Sequence, residues 1–201
     1  MSQSQFTLTQ PFLRLIMGPM KAEKSTSAVR IARKFGHFCN VLLVNSAIDQ
    51  RHKGDFVVMH SGSHSECVKV SKLSELEDSE QFQKAQLVVI DEGQFFSDLK
   101  EHVIKHRNSK SYVVASLDSD AKQNKFGQIW DLIPYATSIE KLHALCEVCR
   151  DGTSAICTIR IGHFNKQISV DNLDGDPLGP KYMSVCIKHL NHAENSEFEE
   201  N

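Results

Sequence analysis

Leu13-Arg-Leu-Ile-Met-Gly-Pro-Met-Lys-Ala-Glu-Lys-Ser-Thr26 joins an apolar run to the start of a helix-forming segment. Leu13 to Met17 reads as a buried strand, and Gly18 and Pro19 end it. From Ser25 onward Ala28, Val29, Ile31, Ala32 and Phe35 recur at helical spacing. A strand, a turn and a helix whose N-terminus faces the turn form a phosphate-binding loop. The helix end offers unpaired N–H groups and a partial positive charge, Lys24 reaches outer phosphates, and the Ser25 hydroxyl is placed for magnesium. Glu23 stands directly before Lys24, where this pattern asks for Gly. A side chain there is expected to strain the backbone, and its carboxylate to repel phosphate, unless Lys21 pairs with it.

Outward from this loop the apolar, β-branched runs return. Val41–Val44, Leu87–Ile90, Tyr112–Leu117 and Ser138–Leu142 read as further strands. Helices are expected over Ser25–Gly36, over Ser74–Lys84 with Ser74 as N-cap, and over Ser97–Asn108. Strands that are apolar on both faces and alternate with helices predict an α/β fold, a parallel sheet with helices on both faces. Ligands of such sheets sit at the C-terminal strand ends. Polar residues gather there: Lys24 after the first strand, Asp49 and Arg51 after the second, Asp91 and Glu92 after the third, Asp118 after the fourth.

From about Ala144 the pattern changes. Cys146-Glu-Val-Cys149 and Cys186-Ile-Lys-His189 are two knuckles separated by short strands and turns. Four N/S ligands at this spacing describe a closed tetrahedral structural zinc site, which supplies folding energy that so small a unit lacks. The competing reading is two buried cysteines and a surface His. Cys39, Cys67 and Cys157 read as ordinary buried or half-buried thiols, and His37, His60, His64 and His163 as surface or loop residues. These spacings suit metal in a reducing compartment better than disulfides.

At 201 residues the chain is expected to hold one domain, or one domain with a small appendage. The expected division is 11–144 for an ATP-binding α/β domain and 145–190 for a zinc-binding subdomain, with polar, disordered tails at 1–10 and 191–201. A net charge of −2 gives no reason to expect a nucleic acid or anionic membrane as partner and favours a small-molecule ligand. No apolar run approaches the roughly 20 residues that span a bilayer, and Met1–Gln5 lacks a secretory signal, so a cytoplasmic location is expected.

Several motifs agree on one family. Gly18-Pro-Met-x-x-x-Lys-Ser-Thr26, Asp49-x-Arg51, Asp91-Glu-Gly-Gln-Phe-Phe96, Leu117-Asp118 followed by Phe126-Gly127, Cys146-x-x-Cys149, Thr158-x-Arg160 and Lys181-Tyr-x-Ser-Val-Cys186 resemble thymidine kinases of the zinc-containing cytosolic type. The resemblance covers about residues 13–190. It implies a P-loop NTPase-like domain and a small C-terminal zinc-binding subdomain, with thymidine held under a lasso loop between the knuckles. It also implies a homo-oligomer, a tetramer or dimer. ATP and Mg2+ would be held by Gly18, Pro19, Met20, Lys21, Ala22, Glu23, Lys24, Ser25, Thr26 and Asp91. Glu92 would be the base and Arg51 would stabilise the transferring phosphoryl group. Met20, Phe95, Leu117 and Tyr182 would enclose thymine, backbone groups around Thr158 and Tyr182 would read its edge, Arg160 would be a further substrate-binding residue, and Cys146, Cys149, Cys186 and His189 would hold Zn2+.

The chain departs from the family pattern in four places. Ala22-Glu23 replaces a small residue and Gly, and Lys21 replaces an aromatic. Ser119-Asp-Ala-Lys-Gln123 stands where the family has Gly-Thr-Phe-Gln-Arg, so Ala121 is expected to leave one side of the nucleoside pocket unfilled. The lasso is longer, with Pro180 before Lys181. Two functions follow: an active thymidine kinase, or a catalytically lapsed relative serving as a binding or assembly subunit. A zinc-ribbon nucleic-acid binder fits the acidic balance poorly.

Overall fold

A computed structural model describes residues 10–49, 56–58, 64–161 and 181–190. Arg51, His60, His163, Pro180, the lasso over 162–180 and the tails at 1–9 and 191–201 lie outside the described residues. Strand β1 (Leu13–Gly18) runs into α1 (Lys24–Gly36), followed by β2 (Val41–Ser46), the short β3 (Phe56–Val58), β4 (His64–Glu66) and β5 (Val68–Val70), and then α2 (Glu80–Lys84). Next come β6 (Leu87–Ile90), α3 (Leu99–His106), β7 (Ser111–Leu117) and β8 (Ser138–Lys141). The chain closes with β9 (Ala144–Leu145), β10 (Ser154–Ala155), β11 (Cys157–Ile161) and β12 (Lys181–Val185). Six strands form one sheet in the order β5-β2-β6-β7-β1-β8, and every pairing in it is parallel.

Alternation within the apolar runs divides them between two cores. From β1, Leu13, Leu15 and Met17 face one side with Tyr112 and Val114 of β7, Leu99 and Val103 of α3 and Phe82 of α2. Ile16, Val113 and Ala115 face the other side, against Ala28, Val29, Ile31 and Ala32 of α1. All seven residues of β7 are buried, which explains why its sequence carries no polar alternation. Each fully buried Leu or Ile stabilises the sheet by about 1.5–3 kcal/mol. Because the strands are parallel, their C-terminal ends share one edge, where Gly18 ends β1 and Asp91 and Asp118 follow β6 and β7.

Four details differ from the sequence reading. The expected helix Ser74–Lys84 is broken into a 3-10 turn over Leu73–Leu76 and the separate α2. Asp98 takes the Leu73 and Ser74 amides at 3.1 and 2.9 Å, and the Ser79 hydroxyl, not Ser74, caps the helix by accepting from the Phe82 amide. Strand β5 extends the sheet beyond β2 although its run, Val-Lys-Val, is too short to stand out. His64, read as a loop residue, lies in β4. The helix expected over Ser97–Asn108 is trimmed to α3 at both ends, as helix termini usually are.

The second unit builds its own small core. β9 pairs with β10 and β11 with β12, all antiparallel, and Ala144, Cys146, Ala155, Cys157, Val185 and Cys186 pack together with Ala22 of the phosphate loop. That contact places the loop against the Cys/His unit.

Candidate active site

Gly18 ends β1 where no other residue fits: an added Cβ would lie 2.4 Å from the Leu142 carbonyl oxygen. The loop then turns through Lys21 and Glu23, both at φ 60°, in the left-handed region. Glu23 is the N-cap of α1, at ψ 26°, and its side chain makes no capping hydrogen bond. It is exposed. The expected Lys21–Glu23 pair does not form; Lys21 Nζ lies 2.6 Å from Glu147 Oε2, inside the first cysteine knuckle. The exposed Glu23 side chain turns to water, while Glu147 lies within reach of a longer arm.

Lys24 Nζ donates to the Pro19 carbonyl at 2.6 Å and so lies across the loop. Ser25 Oγ donates to Asp91 Oδ1 at 3.0 Å, tying the start of α1 to the end of β6. Asp91 is only 2% exposed. A hydroxyl and a buried carboxylate held together beside a helix N-terminus suit a magnesium ion carried by phosphates.

Glu92 adopts φ 52° and ψ 41°, a conformation that non-glycine residues adopt at a cost of about 1–3 kcal/mol and that concentrates at functional sites. Gln94 fixes it. Its Nε2 donates to Glu92 Oε2 at 2.5 Å, while its Oε1 accepts from Ser116 Oγ at 3.1 Å and the Leu117 amide at 3.0 Å. Gly93 permits this: a Cβ there would lie 2.9 Å from Val114 Cγ1. Gly127, at φ 68°, lies so close that its Cβ would meet the Gln94 backbone at 2.6 Å. Gln94 stood in the Asp91–Phe96 motif without an assigned role; no periodicity announces a glutamine whose amide joins Glu92 to the end of β7.

Beside Glu92 the two phenylalanines diverge. Phe96 enters the main core, whereas Phe95 packs with Met20 and Ala121 against Leu117, Phe126 and Tyr182. The Phe95 and Phe126 rings meet edge to face, 5.7 Å apart. Ala121, half-buried, lies against this cluster, to which Phe126 brings the second ring. Thr158 and Ser184 hold both backbone groups of Met20: the Met20 amide donates to Thr158 Oγ1 at 2.9 Å and Ser184 Oγ donates to the Met20 carbonyl at 2.7 Å. Arg160 stands opposite Tyr182 in the β11–β12 register. Asp118, 1% exposed, pairs with Lys141, and its carbonyl accepts from Trp130 Nε1 at 2.5 Å.

The two knuckles converge. His189 Nδ1 lies 3.6 Å from Cys146 Sγ, 3.4 Å from Cys149 Sγ and 3.4 Å from Cys186 Sγ, and the Cys149 and Cys186 sulfurs are 3.8 Å apart. A tetrahedral zinc with bonds of about 2.3 Å to sulfur and 2.0–2.1 Å to nitrogen spaces its ligands about 3.5–3.8 Å apart, so the four fit this ion. Burial opposes ionisation of Cys146, but the Cys149 and Cys186 amides, aimed at its sulfur at 3.5 and 3.4 Å, outweigh it and bring the thiol down to about 6. Cys149 is pushed up to about 11, by burial first and by its sulfur neighbours next. A dication in the site would favour the thiolates of Cys146 and Cys149. Cys146, Cys149 and Cys186 are free of disulfides, as are the half-buried Cys39 and the buried Cys67 and Cys157.

Glu147 links this cluster to the phosphate loop, receiving Lys21 on Oε2 and the Ser184 amide, at 2.7 Å, on Oε1. Burial works against its ionisation, and the lysine and the amide together lower its pKa.

The sequence profile described as "Thymidine kinase" matches residues 11–190. The chain belongs to the thymidine kinase family. It is 38% identical over 184 residues to a rice protein named "Thymidine kinase", covering 88% of this chain and 65% of the relative. The chain thus spans just under two thirds of that relative's length. "Thymidine kinase a" of Arabidopsis thaliana is 35% identical, covering 88% of this chain and 74% of the relative. "Thymidine kinase, cytosolic" of Gallus gallus is 34% identical, covering 87% and 74%. Among the described residues no helix is long and apolar enough to cross a membrane.

Proposed function

We propose that the chain is a thymidine kinase, transferring the γ-phosphate of ATP to the 5′-hydroxyl of thymidine to form dTMP in nucleoside salvage. One observation carries this reading: the Ser25–Asp91 hydrogen bond brings the phosphate loop to the strand end that bears Glu92, with the Phe95–Phe126–Tyr182 cluster alongside. A phosphate-binding loop and an apolar ring cluster therefore flank one carboxylate. Names of the relatives support the same substrate.

In this reading Lys24 and the loop from Gly18 to Thr26 bind the phosphates, and Ser25 and Asp91 hold magnesium, which when bound neutralises charge on the phosphates. Met20, Phe95, Leu117 and Tyr182 enclose the thymine ring, with Thr158 and Arg160 at its edge. Glu92 accepts the proton of the 5′-hydroxyl as that oxygen attacks, held in position by Gln94. Arg51 stabilises the phosphoryl group in transfer. Zinc on Cys146, Cys149, Cys186 and His189 secures 145–190 against the ATP-binding unit at 11–144, in a cytoplasmic homo-oligomer.

A second reading, a lapsed kinase that binds or assembles without turnover, is favoured by a single feature: the carboxylate of Glu23 at the mouth of the loop, on a backbone in the glycine region. Replacing Glu92 by Gln separates the two. Glu92→Gln keeps the shape and loses the basicity, so thymidine affinity should persist while dTMP formation falls by at least about 100-fold. Turnover retained in this variant would remove Glu92 from its role, and absence of turnover in the native chain would favour the lapsed reading.

A further inference from the structure

Away from the Cys/His cluster, α3 carries His102 and His106 one turn apart, so both face the same side of the helix. Glu77, between the 3-10 turn at Leu73–Leu76 and α2, reaches between them. Glu77 Oε1 is 3.1 Å from His106 Nε2 and 3.5 Å from His102 Nδ1. One ligand atom from each of the three lies within 4.8 Å of the others. A tetrahedral ion bound at about 2.0–2.1 Å to nitrogen and oxygen spaces its ligands about 3.3 Å apart, close to both measured separations.

The side chain of His102 is 1% exposed. Its Nδ1 is buried without a hydrogen-bond partner. Its other ring nitrogen, Nε2, lies 3.4 Å from the Tyr112 hydroxyl. That contact suits a ring whose Nε2 keeps the proton and donates to Tyr112 while Nδ1 offers its lone pair, the arrangement usual for a metal-ligating histidine. Phe82 walls both rings, with centroids 5.2 Å from His102 and 5.0 Å from His106. Lys105 occupies Glu77 Oε2, at 2.5 Å, and Oε1 shares a hydrogen bond with His106 Nε2 at 3.1 Å, which a cation between the two would replace. The Glu77 and His106 side chains are 24% and 19% exposed, so an ion can enter and keep a water at a fourth position.

We propose that Glu77, His102 and His106 form a second metal site, for a borderline divalent cation of the zinc type, separate from the Cys/His site. Two imidazoles and one carboxylate select such an ion over magnesium or calcium, which take oxygen ligands. Tyr112 stands near the start of β7, whereas Leu117 and Asp118 close it at the other end, so this cluster lies at the sheet end opposite the phosphate loop. Its ion pins α3 to the segment between Leu73 and α2.

Zinc chloride alone is the probe. The full chain, already carrying its Cys/His zinc, is dialysed against buffered free Zn2+ raised through the micromolar range, and zinc per chain is measured by elemental analysis. The native chain should take up a second equivalent. His106→Gln and Glu77→Gln, both at partly exposed positions, should keep the first and bind the second at least about tenfold more weakly, with unchanged circular dichroism. Cobalt in the second site should add ligand-field bands without a thiolate charge-transfer band. Saturation of the native chain at one zinc, or a second zinc unaffected in both variants, would overturn the assignment; if one variant misfolds, the other decides.

Discussion

Glu23→Gly tests whether this phosphate loop is weakened by its own carboxylate. Relief of left-handed backbone strain favours Gly by about 1–2 kcal/mol. Against it stand about 0.4–1 kcal/mol of added unfolded-chain entropy and about 0.3–1 kcal/mol of lost attraction between the carboxylate and the α1 N-terminus. No side-chain cap is lost. Folding stability should therefore move by less than about 1 kcal/mol. ATP affinity is the sensitive readout, because strain present in both free and bound states cancels while charge repulsion does not. For an exposed carboxylate roughly 6 Å from a phosphate charge, an effective dielectric of about 40 gives about 1.4 kcal/mol per charge pair. That corresponds to about tenfold in Kd. Glu23→Gln removes the charge and keeps the strain, so calorimetric titration with ATP should show both variants about tenfold tighter than the native chain. The difference should narrow at high salt. Native affinity that neither variant improves would refute the reasoning.

Two further outcomes follow from the contacts. Stripping zinc with a strong chelator should loosen β9–β12, and with them the Thr158 and Ser184 bonds to Met20, so that ATP and thymidine affinity fall together; hydrogen exchange at the Met20 amide reports the coupling, and an unchanged rate would deny it. Gln94→Leu leaves the Leu117 amide without its acceptor, at about 1–3 kcal/mol, while the Ser116 hydroxyl keeps the Leu117 carbonyl at 2.9 Å. It also frees Glu92, so kcat should fall about tenfold or more while thymidine Kd stays nearly constant, and an equal loss in both would make Gln94 a merely structural residue.

What the sequence disclosed follows the strength of its local signals. Long apolar runs gave β1, β2, β6, β7 and β8, and the matched knuckles gave the Cys/His cluster that could hold a metal ion, because periodicity and ligand spacing are local properties. The 3-10 turn at Leu73–Leu76 and α2 were merged because their caps come from Asp98, far along the chain, and from Ser79 within an otherwise helical composition. Lys21 was matched to its sequence neighbour Glu23, while its partner Glu147 lies on another element. Gln94, Phe126 and the Glu77–His102–His106 cluster act through contacts between elements, which no single stretch records. Arg51 lies outside the described residues, and its role rests on the family resemblance.

The central claim is tested most directly by phosphoryl transfer from ATP labelled in its γ-phosphate to thymidine, using the purified native chain with magnesium. Labelled dTMP should form, and 5′-deoxythymidine, which lacks the attacking hydroxyl, should accept no label. Absence of labelled dTMP at saturating ATP and thymidine, with both ligands shown to bind, would contradict the account.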